Sequence, residues 1–293
     1  MEILGQSLQF LLTGLTTGSI YALIAVGFVT IYNVTGVINF AQGEFVMVGA
    51  LTCVSLYQAG LPLIAAIPLA VLIAALVGLA MERSMIYPVR NSSFVTLIII
   101  TIAASILLRG LGLLIWGTYP LSLPTFSANK PILIGNAVIT TQSLWVLGTL
   151  FVLLAVLYYF FEKTVMGTAL RASMINPKAA GLMGINTSNM SALAFTLSAA
   201  VAAMAGIVMT PITGAIYDMG LFLGLKGFMA MVMGGMRNVV GAVIAGFFIG
   251  VLEAFATGYL SSSFSEAIAF AILLLMLFIS PSGLFYKVSG KRV

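Results

Sequence analysis

A few charged side chains interrupt an otherwise apolar sequence, and these residues could do chemistry. Arg109 and Glu253 each stand inside a long apolar run. A charge at membrane depth costs a few kcal/mol, so such residues mark a partner, a relay or a substrate path. Counted from the same end of their runs, they lie about fifteen and thirteen residues deep, which at 1.5 Å per residue gives similar depths. We therefore expect an Arg109–Glu253 ion pair that holds helices together, with a place on a translocation path as the alternative.

A second polar cluster runs from Asn39 to Glu44, early in another apolar run. Asn39, Gln42 and Gly43 have the i, i+3, i+4 spacing that places residues on one helical face. A polar face inside a membrane must meet another helix or an aqueous path. Both interpretations are open for Asn39, Gln42 and Glu44.

Glycine spacing distinguishes positions where helices pack closely from a position where a helix ends. Pairs four residues apart at Gly14/Gly18, Gly220/Gly224 and Gly246/Gly250 are typical of close helix packing in membranes. Gly234 and Gly235 instead end a short apolar segment. A helix broken there would expose backbone groups, which suits a position lining a path.

No residues form a plausible catalytic set. Histidine is absent and Cys53 is the only cysteine, which excludes an internal disulfide, a Cys/His metal site and His-based acid–base chemistry. There is no Gly-rich phosphate-binding loop followed by Lys and Ser or Thr. We expect no enzyme activity, no metal and no cofactor in this chain, and any ATP would be bound by another chain.

Composition indicates a polytopic membrane protein. Of 293 residues, 61% are hydrophobic and 6% are charged, with a mean hydropathy of +1.19, whereas soluble proteins carry about 25% charged residues. The net charge of +5 is spread along the chain and does not suggest nucleic-acid binding. We predict an all-α fold, a transmembrane helical bundle of about eight to nine spans that forms a single domain over residues 1–293. The expected spans are Leu8–Tyr32, Val37–Tyr57, Leu63–Met81, Phe94–Trp116, Leu144–Phe161, Ser191–Thr210, Val240–Leu260 and Glu266–Ile279, with Phe228–Gly235 doubtful.

The positions of Lys and Arg predict the orientation, because cytoplasmic segments are enriched in both. Most of the twelve fall in Glu82–Ser93, Glu162–Asn189 and the C-terminus, which we place in the cytoplasm. The N-terminus, without a basic signal-peptide region, is expected outside with its span retained. Residues 117–143 then form the longest extracytoplasmic loop, with strand-like pieces at Ile132–Leu133 and Val138–Ile139. Thr213–Gly227 is also expected outside, which would leave Lys226 in a loop.

The inner segment, residues 162–189, contains a short helix with clear end signals. Asn176 is a good N-cap residue, and Pro177 follows at the first helical position. Gly184 stands where a left-handed helix stop would fall. A helix from Pro177 to Met183, at the membrane surface between two spans, is therefore predicted, and it would be suited to contact another protein.

The whole chain resembles the permeases of ABC importers for branched-chain amino acids, of the LivH type. The resemblance is carried by several stretches, which are specific only together: Gly18–Leu23, Gly36–Glu44, Arg171–Ala172 with Asn176–Ala180, Gly184–Ile185, Gly224–Phe228, Gly234–Gly235 and Gly241–Ala242.

The resemblance implies the membrane permease of an ATP-driven importer of leucine, isoleucine and valine in the cytoplasmic (inner) membrane. It implies as partners two cytoplasmic ABC ATPase subunits, a second related permease and an extracytoplasmic amino-acid-binding protein. The short inner helix would be the coupling helix that docks on the ATPase. Alternatives are the same architecture importing urea, short amides or other amino acids, and an ion-coupled secondary transporter using Glu44 and Asn39. The coupling residues would be Arg171, Asn176, Pro177, Lys178, Ala180, Gly181 and Gly184.

Overall fold

The structure, a computed structural model, describes residues 2–128, 130–260 and a few positions beyond, namely 267–268, 270–271, 274–275 and 278. It is a helical bundle with one small β-hairpin. The helices are α1 Glu2–Thr35, α2 Gln42–Gln58, α3 Leu63–Met81, α4 Phe94–Trp116, α5 Thr141–Lys163, α6 Val165–Ile175, α7 Pro177–Leu182, α8 Thr187–Thr213, α9 Met219–Gly234 and α10 Val239–Tyr259, and the strands are β1 Pro131–Ile134 and β2 Ala137–Thr140.

The centre of the bundle is α1, which packs against α5, α8, α9 and α10. Its closest partner is α10, and glycines on both helices make the approach. A Cβ atom on Gly18 would lie 2.7 Å from the Phe247 Cα, and one on Gly246 would lie 2.7 Å from the Ala22 nitrogen. Because the seam has no room for a methyl group, the predicted packing role of these spaced glycines is confirmed.

The outer helices α3, α4 and α5 turn large apolar side chains away from the bundle. Ile64, Leu114 and Phe151 are examples of such exposed residues. A soluble protein rarely exposes so much apolar surface, whereas lipid favours it. Six helices of the described part are long and apolar enough to cross a membrane: α1, α3 with its continuation to Val89, α4, α5, α8 and α10.

The expected count of eight to nine spans is not confirmed. The second expected span, Val37–Tyr57, begins as a helix only at Gln42, so α2 has 17 residues. The doubtful segment Phe228–Gly235 is the second half of α9, which has 16 residues. Both helices are too short to count as candidate spans. Half of the residues of the expected span Glu266–Ile279 lie outside the described part of the chain.

The two ends of the bundle differ. At one end, the Asn33 side chain donates to the Arg237 carbonyl (3.1 Å), and the Arg83 guanidinium donates to Ser188 and Asn189. Because α7 lies beside the start of α8, we call this the α7 end.

At the other end, β1 and β2 form an antiparallel hairpin with Ile132 opposite Ile139, which confirms the predicted strand-like pieces. The amide of Gln9 on α1 both donates to and accepts from the Val138 backbone. We call this the hairpin end. Connections at opposite ends show that α1 runs the full height of the bundle.

Candidate functional site

The chain between α1 and α2 is buried but not helical. Gly36, with φ of 69°, ends α1, and Val37 to Ala41 then run through the interior to the start of α2. Irregular backbone at membrane depth occurs only inside protein or beside an aqueous cavity. Asn39 replaces part of the missing helical bonding, because its Oδ1 accepts from the Ala41 N–H (3.1 Å). The expectation that Asn39 shares a helical face with Gln42 and Gly43 is therefore wrong.

Gln42, the first residue of α2, binds α8. Its Oε1 accepts from the Ser198 hydroxyl at 2.8 Å, and its Nε2 donates to the Ser198 carbonyl at 3.4 Å. Gly27 of α1 provides the space, because a Cβ atom there would lie 2.9 Å from Ser198 Oγ. Of the two interpretations open for Gln42, this geometry favours the interhelical hydrogen bond.

Glu44 lies in the first turn of α2 with only 1% of its surface exposed. Its Oε1 accepts from Ser105 Oγ of α4 at 2.8 Å. Its Oε2 has no hydrogen-bond partner among the described residues. The charges of Arg109 and Asp218 both act on this carboxylate. The N-terminus of α2 favours a negative charge at this position, whereas burial away from water disfavours it.

The first turn of α9 lies against the first turn of α2. Gly220 has no side chain, and a Cβ atom there would lie 2.6 Å from Glu44 Oε2 and 2.7 Å from the Gly43 carbonyl oxygen. Gly224, one turn later, passes the Gly43 backbone in the same way. The spaced pair Gly220/Gly224 therefore packs α9 onto α2, as predicted, and brings two helix starts together inside the bundle.

Arg109 projects from α4 into the same region. Thr101, Ser105 and Arg109 follow one another at four-residue intervals and form a polar stripe on an otherwise apolar helix. Thr101 donates to the Ile38 carbonyl (3.3 Å) and Ser105 donates to Glu44. Arg109 lines a cavity of about 150 Å³ between α4 and α9. The cavity walls otherwise consist of Phe28, Phe40, Ile102, Ser105, Ile106, Leu221, Gly224, Leu225 and Phe228.

The expected Arg109–Glu253 ion pair is wrong. Glu253 of α10 accepts from the Tyr21 hydroxyl and from Lys226 Nζ, each at 2.6 Å. Two residues at the same depth in the membrane need not be neighbours. Here α10 packs against α1 and α9, whereas α4 packs against α2. Lys226 was expected in an outer loop, but α9 already begins at Met219, so Lys226 is a helical residue inside the bundle.

Gly234 and Gly235 end α9, as predicted. Gly235 has φ of 90°, a conformation that favours glycine. Gly234 is buried, and a Cβ atom there would lie 2.5 Å from the Ala242 Cα. These glycines therefore make the close turn from α9 into α10, and a path-lining role remains a prediction.

The short helix α7, Pro177–Leu182, lies where the sequence predicts it. Asn176 Oδ1 accepts from the Ala179 N–H (3.1 Å) and caps the start. At the other end, Gly184 has φ of 84°, and the Ile185 N–H donates to the Ala180 carbonyl (3.0 Å). The apolar side chains of Leu182 and Met183 are 90% and 83% exposed. A capped helix that presents apolar groups outward has the form of a docking element.

The other predicted coupling residues divide into two groups. Pro177, Lys178, Gly181 and Gly184 are exposed, whereas Ala180 is buried. Arg171 lies apart from these residues on α6, which was not predicted as a separate helix. It forms an ion pair with Glu162 of α5. It also lines a larger, mostly apolar cavity of about 490 Å³ among α1, α5, α6 and α10. Arg171 thus braces the segment that carries α7.

The contacts made by Tyr21, Ser105, Ser198 and Lys226 were not predicted from the sequence. One signal was present: Ser105 stands one helical turn before Arg109, and two polar residues at that spacing in an apolar helix predict a shared face. The contacts of Tyr21, Ser198 and Lys226 join residues distant in sequence, so no local pattern announces them.

Short helices that begin inside a lipid-facing bundle, with a buried carboxyl group and an arginine beside the break, are typical of membrane transport proteins. The family model described as "Branched-chain amino acid transport system / permease component" matches residues 10–277. The chain belongs to this family, whose members are permease components and not enzymes.

Relatives of known name support the assignment over nearly the full length. The chain is 35% identical to the high-affinity branched-chain amino acid transport system permease protein LivH of Escherichia coli, covering 98% of this chain and 97% of that protein. It is 30% identical to the permease protein BraD of Pseudomonas aeruginosa, covering 98% of both chains. The ribose import permease RbsC of Haemophilus influenzae is more distant, at 25% identity over 92% of this chain and 84% of that protein.

A solved structure shares the fold. PsaBC from Streptococcus pneumoniae in complex with Fab matches with a TM-score of 0.51 and 14% identity, covering 93% of this chain and 92% of that chain. At this identity the match describes the arrangement of helices alone.

Proposed function

We propose that this chain is the permease subunit of an ATP-driven importer that carries leucine, isoleucine and valine across the cytoplasmic membrane. The observation that carries the proposal is α7: an exposed, capped helix between two spans, in a sequence without a nucleotide-binding motif. Energy for uphill transport must then arrive from another chain, and α7 is the element built to receive it.

In this proposal two ABC ATPase subunits bind at the α7 end, which faces the cytoplasm. The positions of Lys and Arg support the orientation, since Arg83, Lys163 and Lys178 all lie at that end. The side chains of Leu182 and Met183 enter an apolar groove of the ATPase, in the way amphipathic helices commonly dock. Closure of the ATPase pair on ATP moves α7 and, through the Arg171–Glu162 ion pair, α5.

The membrane core in this proposal contains a second, related permease, and an extracytoplasmic binding protein delivers the substrate at the hairpin end. The names of LivH and BraD, at 35% and 30% identity, support branched-chain amino acids as the substrate. Glu44, Asn39 and Arg109 lie along the path taken by the amino acid, at the break between α1 and α2. The same architecture carrying urea, short amides or other amino acids is the competing substrate assignment.

The docking role is tested by replacing Leu182 and Met183 with aspartate and measuring how much ATPase co-purifies with the permease complex. We expect loss of most of the bound ATPase, because two carboxylates cannot enter an apolar groove without a large desolvation cost. Tyr119→Asp is the matched control, since Tyr119 is 82% exposed at the hairpin end. Equal ATPase recovery from both variants would contradict the docking role.

The transport assignment is tested by uptake of radiolabelled leucine in cells that lack their own leucine importers. We expect uptake that requires this chain with its partner subunits and stops on ATP depletion. Uptake that survives ATP depletion but stops with an ionophore would instead identify an ion-coupled transporter, and uptake of urea without leucine would correct the substrate.

A further inference from the structure

We propose that the cavity between α4 and α9 is a transient binding site for a free aliphatic α-amino acid, with Arg109 binding its carboxylate. The cavity is lined by Arg109 and Ser105 of α4, Phe28 of α1, Phe40 before α2, and Phe228 of α9. This inference rests on the proposed function and adds to it the place and the groups that hold the substrate.

The guanidinium of Arg109 is available for a ligand. It forms neither an ion pair nor a hydrogen bond with any residue that the structure describes, although α4 is a candidate membrane span. An arginine at membrane depth needs an anionic or polar partner. Glu44, a carboxyl group that interacts electrostatically with Arg109, accepts its hydrogen bond from Ser105 and not from the guanidinium. A carboxylate entering the cavity would satisfy the guanidinium with two parallel hydrogen bonds.

The ammonium group of the same amino acid has a second place to bind. Ser105 stands one turn before Arg109, and residues at that spacing have Cβ atoms about 6 Å apart. The Ser105 hydroxyl donates its proton to Glu44, so its oxygen keeps lone pairs that can accept from an ammonium group. The carboxylate and the ammonium of one α-carbon would thus bind side by side on α4.

The remaining walls fit an aliphatic side chain. The Phe228 ring lies 6.0 Å from the Phe28 ring and 5.5 Å from the Phe40 ring, centroid to centroid, so three aromatic faces meet at one place. The volume is about 150 Å³, and an apolar cavity of roughly that size binds the six-carbon molecule benzene. Only the four side-chain carbons of leucine need these apolar walls, because its carboxylate and ammonium groups would bind Arg109 and Ser105. An apolar pocket with one or two placed polar groups is the usual form of a small-molecule site.

The floor of the cavity can change shape during transport. Gly224 of α9 forms part of it and passes directly over Gly43 of α2. A shift of α9 relative to α2 would therefore alter both the cavity and the surroundings of Glu44. A site that is rebuilt by such a shift would bind the substrate weakly and release it.

The test is equilibrium binding of radiolabelled leucine to the assembled transporter in lipid nanodiscs without the binding protein, together with leucine uptake in cells. We expect Arg109→Gln to raise the Kd for leucine about tenfold or more, equal to about 1.4 kcal/mol. Phe228→Trp should exclude leucine while alanine still binds, because the larger ring fills the cavity. Leucinamide, which lacks the carboxylate, should not compete with leucine. Leu107→Ala is the control, since Leu107 is exposed on α4 and does not line the cavity.

The outcomes separate this inference from the proposed function. If the unaltered transporter carries leucine and Arg109→Gln leaves its Kd and uptake unchanged, the cavity assignment fails while the function stands. If no leucine is bound or carried by the unaltered transporter, the proposed function fails. Should Arg109→Gln not assemble, unchanged leucine binding in Phe228→Trp, or competition by leucinamide, overturns the assignment. A variant that changes only the co-purifying phospholipid identifies a lipid site and also overturns it.

Discussion

Lys226 Nζ lies 2.6 Å from Glu253 Oε1, and this ion pair joins α9 to α10 inside the bundle. The second carboxylate oxygen accepts from Tyr21 of α1, so one carboxylate ties three helices together. The two charged side chains are 12% and 16% exposed. Both charges are largely removed from water, and each depends on the other.

Removing one partner of this pair should destabilise the protein more than removing both. We expect Lys226→Met to lower the free energy of unfolding by about 3–5 kcal/mol, because Glu253 is left as an uncompensated buried charge. The double variant Lys226→Met/Glu253→Gln should recover at least half of the loss. Thermal unfolding of the purified protein in detergent, followed by tryptophan fluorescence, shows whether the single or the double variant loses more stability.

The same measurement tests whether Arg109 and Glu253 interact. Because Arg109 lies in a different part of the bundle, the effects of Arg109→Met and Glu253→Gln should add within about 0.5 kcal/mol. A strong coupling between these two substitutions would show that they interact after all.

The seam between α1 and α10 should not tolerate a methyl group. We expect Gly18→Ala to cost about 1–3 kcal/mol or more, because the new Cβ would lie 2.7 Å from the backbone of Phe247, which cannot rotate away. Gly148→Ala on α5 is the matched control, since no described atom lies within 4 Å of its Cβ position. There, alanine should be neutral or stabilising through its higher helix propensity. The yield of monodisperse protein and its unfolding midpoint report both effects, and equal losses would contradict the seam.

The hydrogen bond between Gln42 and Ser198 should contribute more to the stability of the protein than the hydrogen bond of an exposed serine. Ser198→Ala leaves Gln42 Oε1 buried without its donor, at a cost of about 1–3 kcal/mol. Ser84→Ala is the control, because the exposed Ser84 hydroxyl only donates to the Ala80 carbonyl. The shift in unfolding midpoint is the measurement. If Gln42→Leu, added to Ser198→Ala, restores none of the loss, the buried amide is not its source.

Two glycines of the α7 segment should respond in opposite ways. Gly184 has φ of 84°, so Gly184→Ala strains the helix end by roughly 1 kcal/mol. Gly181 lies within α7 with no described atom within 4 Å of its Cβ position, so Gly181→Ala should strengthen the helix. The readout is leucine-dependent ATP hydrolysis by the assembled transporter, which we expect to fall for Gly184→Ala alone. A loss of the same size in both would show that the surface of α7, and not its end geometry, governs coupling.

Local sequence patterns correctly predicted the features that depend on composition or on a few adjacent residues. Apolar composition determined the membrane class, and Asn176, Pro177 and Gly184 determined both ends of α7, because capping depends on a few adjacent residues. The hairpin strands followed from two apolar stretches around Gly135. The spaced glycines correctly predicted close packing.

The tertiary structure alone decided which polar groups meet inside the bundle. Arg109 and Glu253 have equal depth in the sequence, yet Glu253 binds Lys226, and Arg109 lies beside Ser105 and a cavity. The buried break before Gln42 also escaped prediction. Its apolar residues resemble the start of a helix, while the hydrogen bonds made there come from the Asn39 side chain and from Thr101 of α4. Helix neighbours are chosen by packing over the whole chain, so depth and periodicity locate a residue along its helix but do not identify the partner it faces.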